Sequence, residues 1–135
     1  MLSGIFKEKT QTAKILVVDD DPHMVRLVSK ILRLNGYEVI TANDGLECIA
    51  KAEDELPDLI LLDNAMPNMD GPTALAKLKT SKKTENTPVI MVTAHADKET
   101  LAHAQKGGAL EYIVKPFDYH VLVEKIAQTL KAKHK

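Results

Sequence analysis

The segment Ile15-Leu16-Val17-Val18-Asp19-Asp20-Asp21-Pro22 is an apolar run that ends abruptly in acids and a proline. Its apolar part is too short for a helix and consists of branched aliphatic residues, which is typical of a strand buried on both faces. An aspartate directly before a proline is typical of a helix N-cap with proline at the first helical position. The segment therefore predicts a buried strand that leads directly into a helix.

Further strands are predicted toward the C-terminus. Apolar runs at 59–62, 89–92 and 112–114 have the composition of buried strands. The segment 37–42 mixes polar and apolar residues, as an edge strand does. The last strand contains the acid Glu111 among its apolar residues and is therefore also predicted to lie at an edge. Helical patterns separate the strands, and each of them begins at an aspartate: Asp21, Asp44, Asp70, Asp97 and Asp118. Helical spacing predicts a core-facing stripe in the first helix, formed by Met24, Leu27, Val28 and Ile31, and another in the second, formed by Leu46, Ile49 and Ala50.

The alternation of strands and helices predicts an α/β fold. Right-handed crossovers between successive strands give a parallel sheet with helices on both faces. With the mixed strands at the edges, the prediction is a flavodoxin-like (βα)5 domain whose five-stranded parallel sheet has the order 2-1-3-4-5. Residues 1–13 are predicted to form an N-terminal arm, residues 14–132 the domain, and residues 133–135 a basic C-terminal tail.

Composition narrows the class of protein. The chain has 135 residues, of which 44% are hydrophobic and 27% charged, and this balance is typical of one globular domain. The net charge of −1 argues against a dedicated nucleic-acid binder. The single cysteine, Cys48, excludes an internal disulfide, and no apolar run approaches the roughly 20 residues of a membrane span. We therefore expect a cytoplasmic protein without membrane insertion.

Polar residues stand where the predicted strands end. Asp19 and Asp20 follow the first strand, Asp63 the third, Thr93 the fourth and Lys115 the fifth. Ligands of open α/β sheets bind beyond the carboxyl ends of the strands, so these side chains are expected to share one rim. Clustered carboxylates repel one another, and a divalent cation such as Mg²⁺ relieves that repulsion. The rim is therefore a candidate metal site.

Four motifs contain these residues: Ile15-Leu16-Val17-Val18-Asp19-Asp20-Asp21-Pro22, Leu61-Leu62-Asp63-Asn64-Ala65-Met66-Pro67-Asn68-Met69-Asp70-Gly71, Val92-Thr93-Ala94 and Val114-Lys115-Pro116-Phe117. Together they resemble the receiver domains of two-component response regulators. The motifs occur in the family's order and spacing, and the resemblance covers the chain from about residue 14 to residue 130. It implies that the domain predicted at 14–132 is a receiver domain, similar to the single-domain chemotaxis regulators.

The resemblance implies a phosphoacceptor and a metal site. Asp63 would accept a phosphoryl group from the phosphohistidine of a sensor histidine kinase or phosphotransfer protein. Asp20, Asp63 and the backbone carbonyl of Ala65 would bind Mg²⁺, for which Mn²⁺ can substitute, and Asp19 would hold the metal through water. These implied roles agree with the chemistry of a carboxylate nucleophile, which forms an acyl phosphate.

The resemblance also implies how the phosphoryl group is held and detected. Thr93 and Lys115 would contact phosphoryl oxygens, and Thr93 with Tyr112 would form a switch. The downstream partner, a protein of unknown identity, would bind the face formed by the fourth helix, fifth strand and fifth helix, roughly residues 97–130. The Lys115-Pro116 peptide bond is expected to be cis.

Several positions depart from the usual pattern of the family. Asn68 stands where glycine is usual, and asparagine is the next most tolerant residue of a left-handed backbone. Asn64 replaces a usual apolar residue. Ala65 and His95 lie two positions after Asp63 and Thr93, where the family tunes loss of the phosphoryl group, and the sequence leaves the direction of that effect open.

Other functions fit the sequence less well. An aspartyl phosphatase resembling the haloacid dehalogenases needs a second aspartate where Ala65 stands. A flavin or dinucleotide carrier needs a glycine-rich loop after the first strand, which is missing. A phosphorylation-independent interaction module tends to lack the acids and lysine present here. The main hypothesis is a stand-alone switch without turnover of a separate substrate or direct nucleic-acid binding. A phosphorelay intermediate and a fragment of a longer regulator with an output domain remain alternatives.

Overall fold

The computed structural model of the chain describes residues 12–94 and 98–133. Strands and helices alternate strictly along these residues. The strands are β1 Lys14–Val18, β2 Glu38–Ala42, β3 Leu59–Asp63, β4 Val89–Thr93 and β5 Glu111–Val114. The helices are α1 Pro22–Leu34, α2 Gly45–Glu55, α3 Gly71–Thr80, α4 Lys98–Lys106 and α5 Tyr119–Lys133. Residues 1–11 of the predicted arm, together with His95, Asp97 and the last two residues of the predicted tail, lie outside the described residues.

The five strands form one parallel sheet in the order β2-β1-β3-β4-β5, which confirms the predicted topology. β3 and β4 are buried along their whole length, whereas β2 and β5 lie at the edges and carry exposed residues. This difference follows from composition, because an interior strand of a covered sheet has no face left for polar side chains.

Alternate side chains of the sheet point into two separate cores. Ile60 and Leu62 of β3 belong to the core beneath α2 and α3, while Leu59 and Leu61 belong to the core beneath α1 and α5. Successive residues of a strand point to opposite faces, so a strand with only apolar residues serves both cores at once. The predicted covering of both sheet faces by helices is thereby confirmed.

Two helices turn part of the predicted apolar face to solvent. In α1, Val28 is buried as predicted, but Leu27 is 44% exposed and Leu32 packs into the core instead. In α2, Ile49 packs against the core as predicted, but Leu46 is 55% exposed and Ala50 is exposed as well, while Gly45, Cys48 and Ala52 are buried. The buried face of α2 approaches the loop after β3 closely, because a Cβ on Gly45 would lie 2.6 Å from the carbonyl oxygen of Met69.

Aspartates cap four of the helices, as predicted. The side chains of Asp21, Asp44, Asp70 and Asp118 each accept a hydrogen bond from a backbone N–H in the first helical turn. Among the described residues, no helix combines the length and the apolar character that a membrane span requires.

Candidate functional site

The carboxyl ends of β1, β3, β4 and β5 form the rim where the polar residues were predicted to meet. Asp19, Asp63 and Thr93 are buried, with 4%, 6% and 2% of their surface exposed, whereas Asp20 is exposed. The backbone N–H of Asp19 donates to the carbonyl of Ala42 at 3.2 Å, which ties the end of β1 to the neighbouring strand. This backbone hydrogen bond fixes the position of Asp19 at the end of the apolar strand β1.

Three carboxylates converge at this rim. Asp19, Asp20 and Asp63 each offer one oxygen, and these oxygens lie within 4.8 Å of one another. One oxygen of Asp19 also accepts from the backbone N–H of Asp21 at 2.9 Å. Carboxylate oxygens at this spacing are the donor set that hard divalent cations prefer, so the residues present fit Mg²⁺ or Mn²⁺.

Lys115 reaches the carboxylates from the end of β5. Its Nζ lies 2.9 Å from Oδ1 of Asp63 and 3.1 Å from Oδ2 of Asp19. Its backbone N–H donates to the carbonyl of Thr93 at 2.7 Å, which fixes the start of the loop beside β4. The peptide bond between Lys115 and Pro116 is cis, as expected from the sequence.

The charges at the rim do not balance. When ionised, the carboxylates of Asp19, Asp20 and Asp63 and the ammonium of Lys115 carry a net charge of −2. Burial disfavours the charged form of Asp63 and, with the neighbouring carboxylates, outweighs Lys115, so the pKa of Asp63 is raised. Burial also disfavours the charged form of Lys115, but its contacts with Asp63 and Asp19 prevail and raise the pKa of Lys115. A divalent cation would cancel the remaining charge.

The loop between β3 and α3 follows Asp63 directly. The backbone N–H of Asn64 donates to the carbonyl of Val92, and the backbone N–H of Gly71 donates to the carbonyl of Asn64, both at 2.9 Å. A Cβ on Gly71 would collide with the backbone of Asp63 and Asn64, so the close return of the chain requires glycine. Ala65 is exposed within this loop, and the binding of metal by its carbonyl stays a prediction.

The two residues of the predicted switch lie at different depths. Thr93 is buried at the end of β4 beside Val114, whereas Tyr112 pairs with Met91 two residues earlier on β5 and is 40% exposed. Tyr112 is therefore next to β4 but outside the group of acids. The roles predicted for Thr93 and Tyr112 stay predictions.

Sequence reasoning missed one contact of the loop. Asn68 has a φ of 68°, the left-handed conformation anticipated for it. Its side-chain amide also donates to Oδ2 of Asp44 at 2.7 Å. The sequence predicts Asp44 as a helix cap alone. The two residues are 24 positions apart, and no local pattern joins them.

Comparison with known proteins adds an independent observation. A family model described as the response regulator receiver domain matches residues 15–127. The regulatory protein AtoC of Escherichia coli is 39% identical over 109 residues, which are 81% of this chain and 23% of AtoC. The chain thus spans about a quarter of the length of several curated relatives, AtoC among them.

Solved structures show the same similarity. A CheY-like receiver domain protein from Methanospirillum hungatei is 35% identical with a TM-score of 0.86, covering 92% of this chain and 98% of that chain. A chain in the CheX–CheY–BeF3–Mg²⁺ complex from Borrelia burgdorferi is 30% identical with a TM-score of 0.82, and the match covers 87% of this chain and 88% of that chain.

Proposed function

This chain belongs to the response regulator receiver domain family, and we propose that it is a phosphorylation switch in which Asp63 accepts the phosphoryl group. The observation that carries the proposal is the environment of Asp63. Its carboxylate lies at the end of a buried strand, contacts the ammonium of Lys115 at 2.9 Å, and has Asp19 and Asp20 beside it. A carboxylate positioned between a cationic side chain and a metal-binding group can act as a nucleophile toward phosphorus.

The proposed step is a phosphoryl transfer from a phosphohistidine. A carboxylate oxygen of Asp63 forms a bond to phosphorus while the bond between phosphorus and the imidazole nitrogen breaks. The electron pair of the broken bond stays on that nitrogen, and the imidazole leaves neutral when its other nitrogen carries a proton. The ammonium of Lys115 and the hydroxyl of Thr93 hold phosphoryl oxygens, so catalysis consists mainly of positioning and charge stabilisation.

Asp19, Asp20 and Asp63 are the side chains proposed to hold Mg²⁺, Asp19 through water, with the backbone carbonyl of Ala65 as a further ligand. When bound, the metal supplies positive charge that offsets the negative charge of the phosphoryl oxygens. The presence of Mg²⁺ and BeF3 in the similar CheX–CheY complex supports this metal. Mn²⁺ is proposed to substitute, because it takes the same oxygen ligands.

The proposed donors are a sensor histidine kinase or a phosphotransfer protein, and the proposed location is the cytoplasm. Hydrolysis of the aspartyl phosphate would reset the switch, so the proposal includes no separate substrate. Transfer of the phosphoryl group onward to a histidine is the second candidate.

Output is proposed to pass through Thr93 and Tyr112. If the Thr93 hydroxyl moves to a phosphoryl oxygen, the space behind it opens, and Tyr112 can turn inward from its exposed position. That movement would change the face formed by α4, β5 and α5, where a partner would detect it. Amide chemical shifts measured with BeF3 and Mg²⁺ should change across this face in the native protein but not in Thr93→Ala. Changes confined to the loops around Asp63 would contradict the coupling.

The experiment that tests the proposed function is chemical phosphorylation. Incubation with acetyl phosphate and Mg²⁺ should add one phosphoryl group to the intact protein, detected by mass spectrometry, and Asp63→Ala should add none. Excess EDTA should prevent the reaction, and Mn²⁺ added beyond the amount that EDTA binds should restore it. Full labelling of Asp63→Ala, or labelling that EDTA leaves unchanged, would refute the assignment.

A further inference from the structure

Asp44 uses both of its carboxylate oxygens. Oδ1 caps α2 by accepting from the backbone N–H of Glu47 at 2.8 Å, and Oδ2 accepts from the side-chain amide of Asn68 at 2.7 Å. In turn, Oε1 of Glu47 accepts from the backbone N–H of Asn43 at 2.6 Å. Hydrogen bonds therefore connect the residues of the first turn of α2, and Oδ2 of Asp44 joins this turn to the loop that follows Asp63.

Packing reinforces the same contact. Gly45 approaches Met69 so closely that a Cβ on Gly45 would lie 2.8 Å from both Cβ and Cγ of Met69. The backbone N–H of Met69 donates to the carbonyl of Pro67 at 2.7 Å, which makes a tight turn around Asn68. The left-handed backbone of Asn68 belongs to this turn. The far side of the loop is thus fixed to α2 by a hydrogen bond and by close packing.

Anchors on both sides determine where Ala65 lies. On the near side, Asn64 is tied to Val92 and Gly71 by backbone hydrogen bonds. On the far side, Asn68 is tied to α2. Ala65 is exposed between the two anchors, so the position of its carbonyl depends on both of them.

We propose that the hydrogen bond between Asn68 and Asp44 positions the loop so that the Ala65 carbonyl can serve as a metal ligand. This inference rests on the proposed function, because it concerns the metal site of that function. Asn68 and Asp44 are positioning residues, since neither belongs to the ligand set. Without their contact the loop samples other conformations, and the apparent affinity for Mg²⁺ falls in proportion to the fraction of molecules that are ready to bind.

Three sets of substitutions separate the positioning of the loop from helix capping by Asp44 and from the left-handed backbone of Asn68. Asn68→Gly removes the amide and keeps a residue that accepts a positive φ. Asp44→Ser keeps a helix cap and removes the second oxygen. The exchange Asn68→Asp with Asp44→Asn reverses donor and acceptor, keeps the net charge, and still offers an oxygen to the N–H of Glu47. Aspartate, like asparagine, tolerates the left-handed backbone at position 68.

The measurement is the dissociation constant for Mg²⁺ by isothermal titration of the unphosphorylated protein, with the thermal midpoint in EDTA as a check on folding. Each of Asn68→Gly and Asp44→Ser should weaken binding by about three- to tenfold, the range of an ordinary net hydrogen bond, because solvent at this exposed contact screens the added contribution of the charge. The double variant Asn68→Gly/Asp44→Ser should be little weaker than either single variant, because both remove the same contact. The exchange variant should return to within about twofold of the native affinity, while Asn68→Asp alone leaves two acceptors facing each other and restores nothing.

Three results would overturn the positioning role. One is additivity, in which Asp44→Ser weakens Mg²⁺ binding by the same factor in the native protein and in the Asn68→Gly variant. Another is an exchange variant that binds no better than the weaker of its two single variants. A lower thermal midpoint with unchanged Mg²⁺ affinity would likewise assign the contact to stability alone and refute the role.

Asp20→Ala tests the metal site separately. It removes a proposed ligand and leaves the loop intact, so it should abolish Mg²⁺ binding at this site even if Asn68 has no influence. An unchanged affinity in Asp20→Ala would overturn the proposed metal site, and the role of Asn68 and Asp44 with it.

Discussion

Replacing Lys115 with methionine should destabilise the metal-free protein. The Lys115 ammonium contacts Asp63 at 2.9 Å and Asp19 at 3.1 Å, and methionine has a similar length without the charge. The substitution therefore removes the cation that offsets the negative charge of the buried Asp19 and Asp63, which lie next to the exposed Asp20. The loss of the attraction between Lys115 and the two carboxylates, and the repulsion between the carboxylates that Lys115 no longer offsets, both lower the free energy of unfolding.

The size of the effect follows from burial. Removing one partner of a buried ion pair costs about 3–5 kcal/mol, because the remaining charge stays desolvated. The side chains of Asp63 and Asp19 are only 8% and 6% exposed, but that of Lys115 is 23% exposed, so water screens part of the interaction. We therefore expect a loss of roughly 2–4 kcal/mol. At about 3–5 °C per kcal/mol for a domain of this size, the thermal midpoint should fall by roughly 6–20 °C.

Urea unfolding in EDTA at neutral pH measures this loss, and the chain supplies a matched control. Lys125 pairs with Glu111 at the same 3.1 Å, but their side chains are 31% and 45% exposed. Lys125→Met should therefore cost less than about 1 kcal/mol. Asp63→Asn should recover much of the stability in the Lys115→Met background, because it removes one of the uncompensated charges.

Two outcomes would show that the charge of Lys115 does not stabilise the fold. If Lys115→Met costs no more than Lys125→Met, the contacts of Lys115 with the acids do not stabilise the fold. If Asp63→Asn fails to rescue Lys115→Met, the loss comes from packing of the lysine stem rather than from charge.

Three further predictions concern the surroundings of the site. Ser29→Ala should leave the free energy of unfolding unchanged or raise it by up to about 1 kcal/mol in urea unfolding, because the buried Ser29 hydroxyl has no hydrogen-bond partner among the described residues. Burial and the charge of Asp44 raise the pKa of Cys48 to about 12. Iodoacetamide should therefore modify Cys48 at about pH 8 only in urea, and rapid modification of the folded protein would contradict this. Gly71→Ala should cost roughly 1–3 kcal/mol in the same unfolding assay, because its Cβ would collide with the backbone after β3.

The fold and the rim were predictable because both follow from short-range patterns. Runs of four apolar residues predicted interior strands, and the mixed composition of two other strands placed them at the edges, which fits the order 2-1-3-4-5 of flavodoxin-like sheets. A parallel sheet brings all strand ends of one kind together, so Asp19, Asp63 and Lys115 were expected to meet although they are far apart in sequence. Their distances and the direction of the Asp63 pKa shift required the structure.

Contacts between loops were not predictable in the same way. Helical periodicity predicted the existence of α2 but not all of its buried face, which includes Gly45 in close approach to Met69. The bond between Asn68 and Asp44 joins two loops at the same end of the sheet, and each residue has a sufficient local explanation. Asparagine accounts for the left-handed turn and aspartate for the helix cap, so neither indicates the other.

The uncompensated charge at the rim bears on how the switch can work. With three carboxylates and one ammonium, the site favours cations before any phosphoryl group arrives. A phosphoryl group on Asp63 would add further negative charge, so Lys115 would exchange its contact with the carboxylate for one with a phosphoryl oxygen. The backbone N–H of Lys115 already donates to the carbonyl of Thr93 at 2.7 Å. The two side chains proposed to hold the same phosphoryl group, Lys115 and Thr93, therefore extend from backbones that are hydrogen-bonded to each other where β4 meets the edge strand β5.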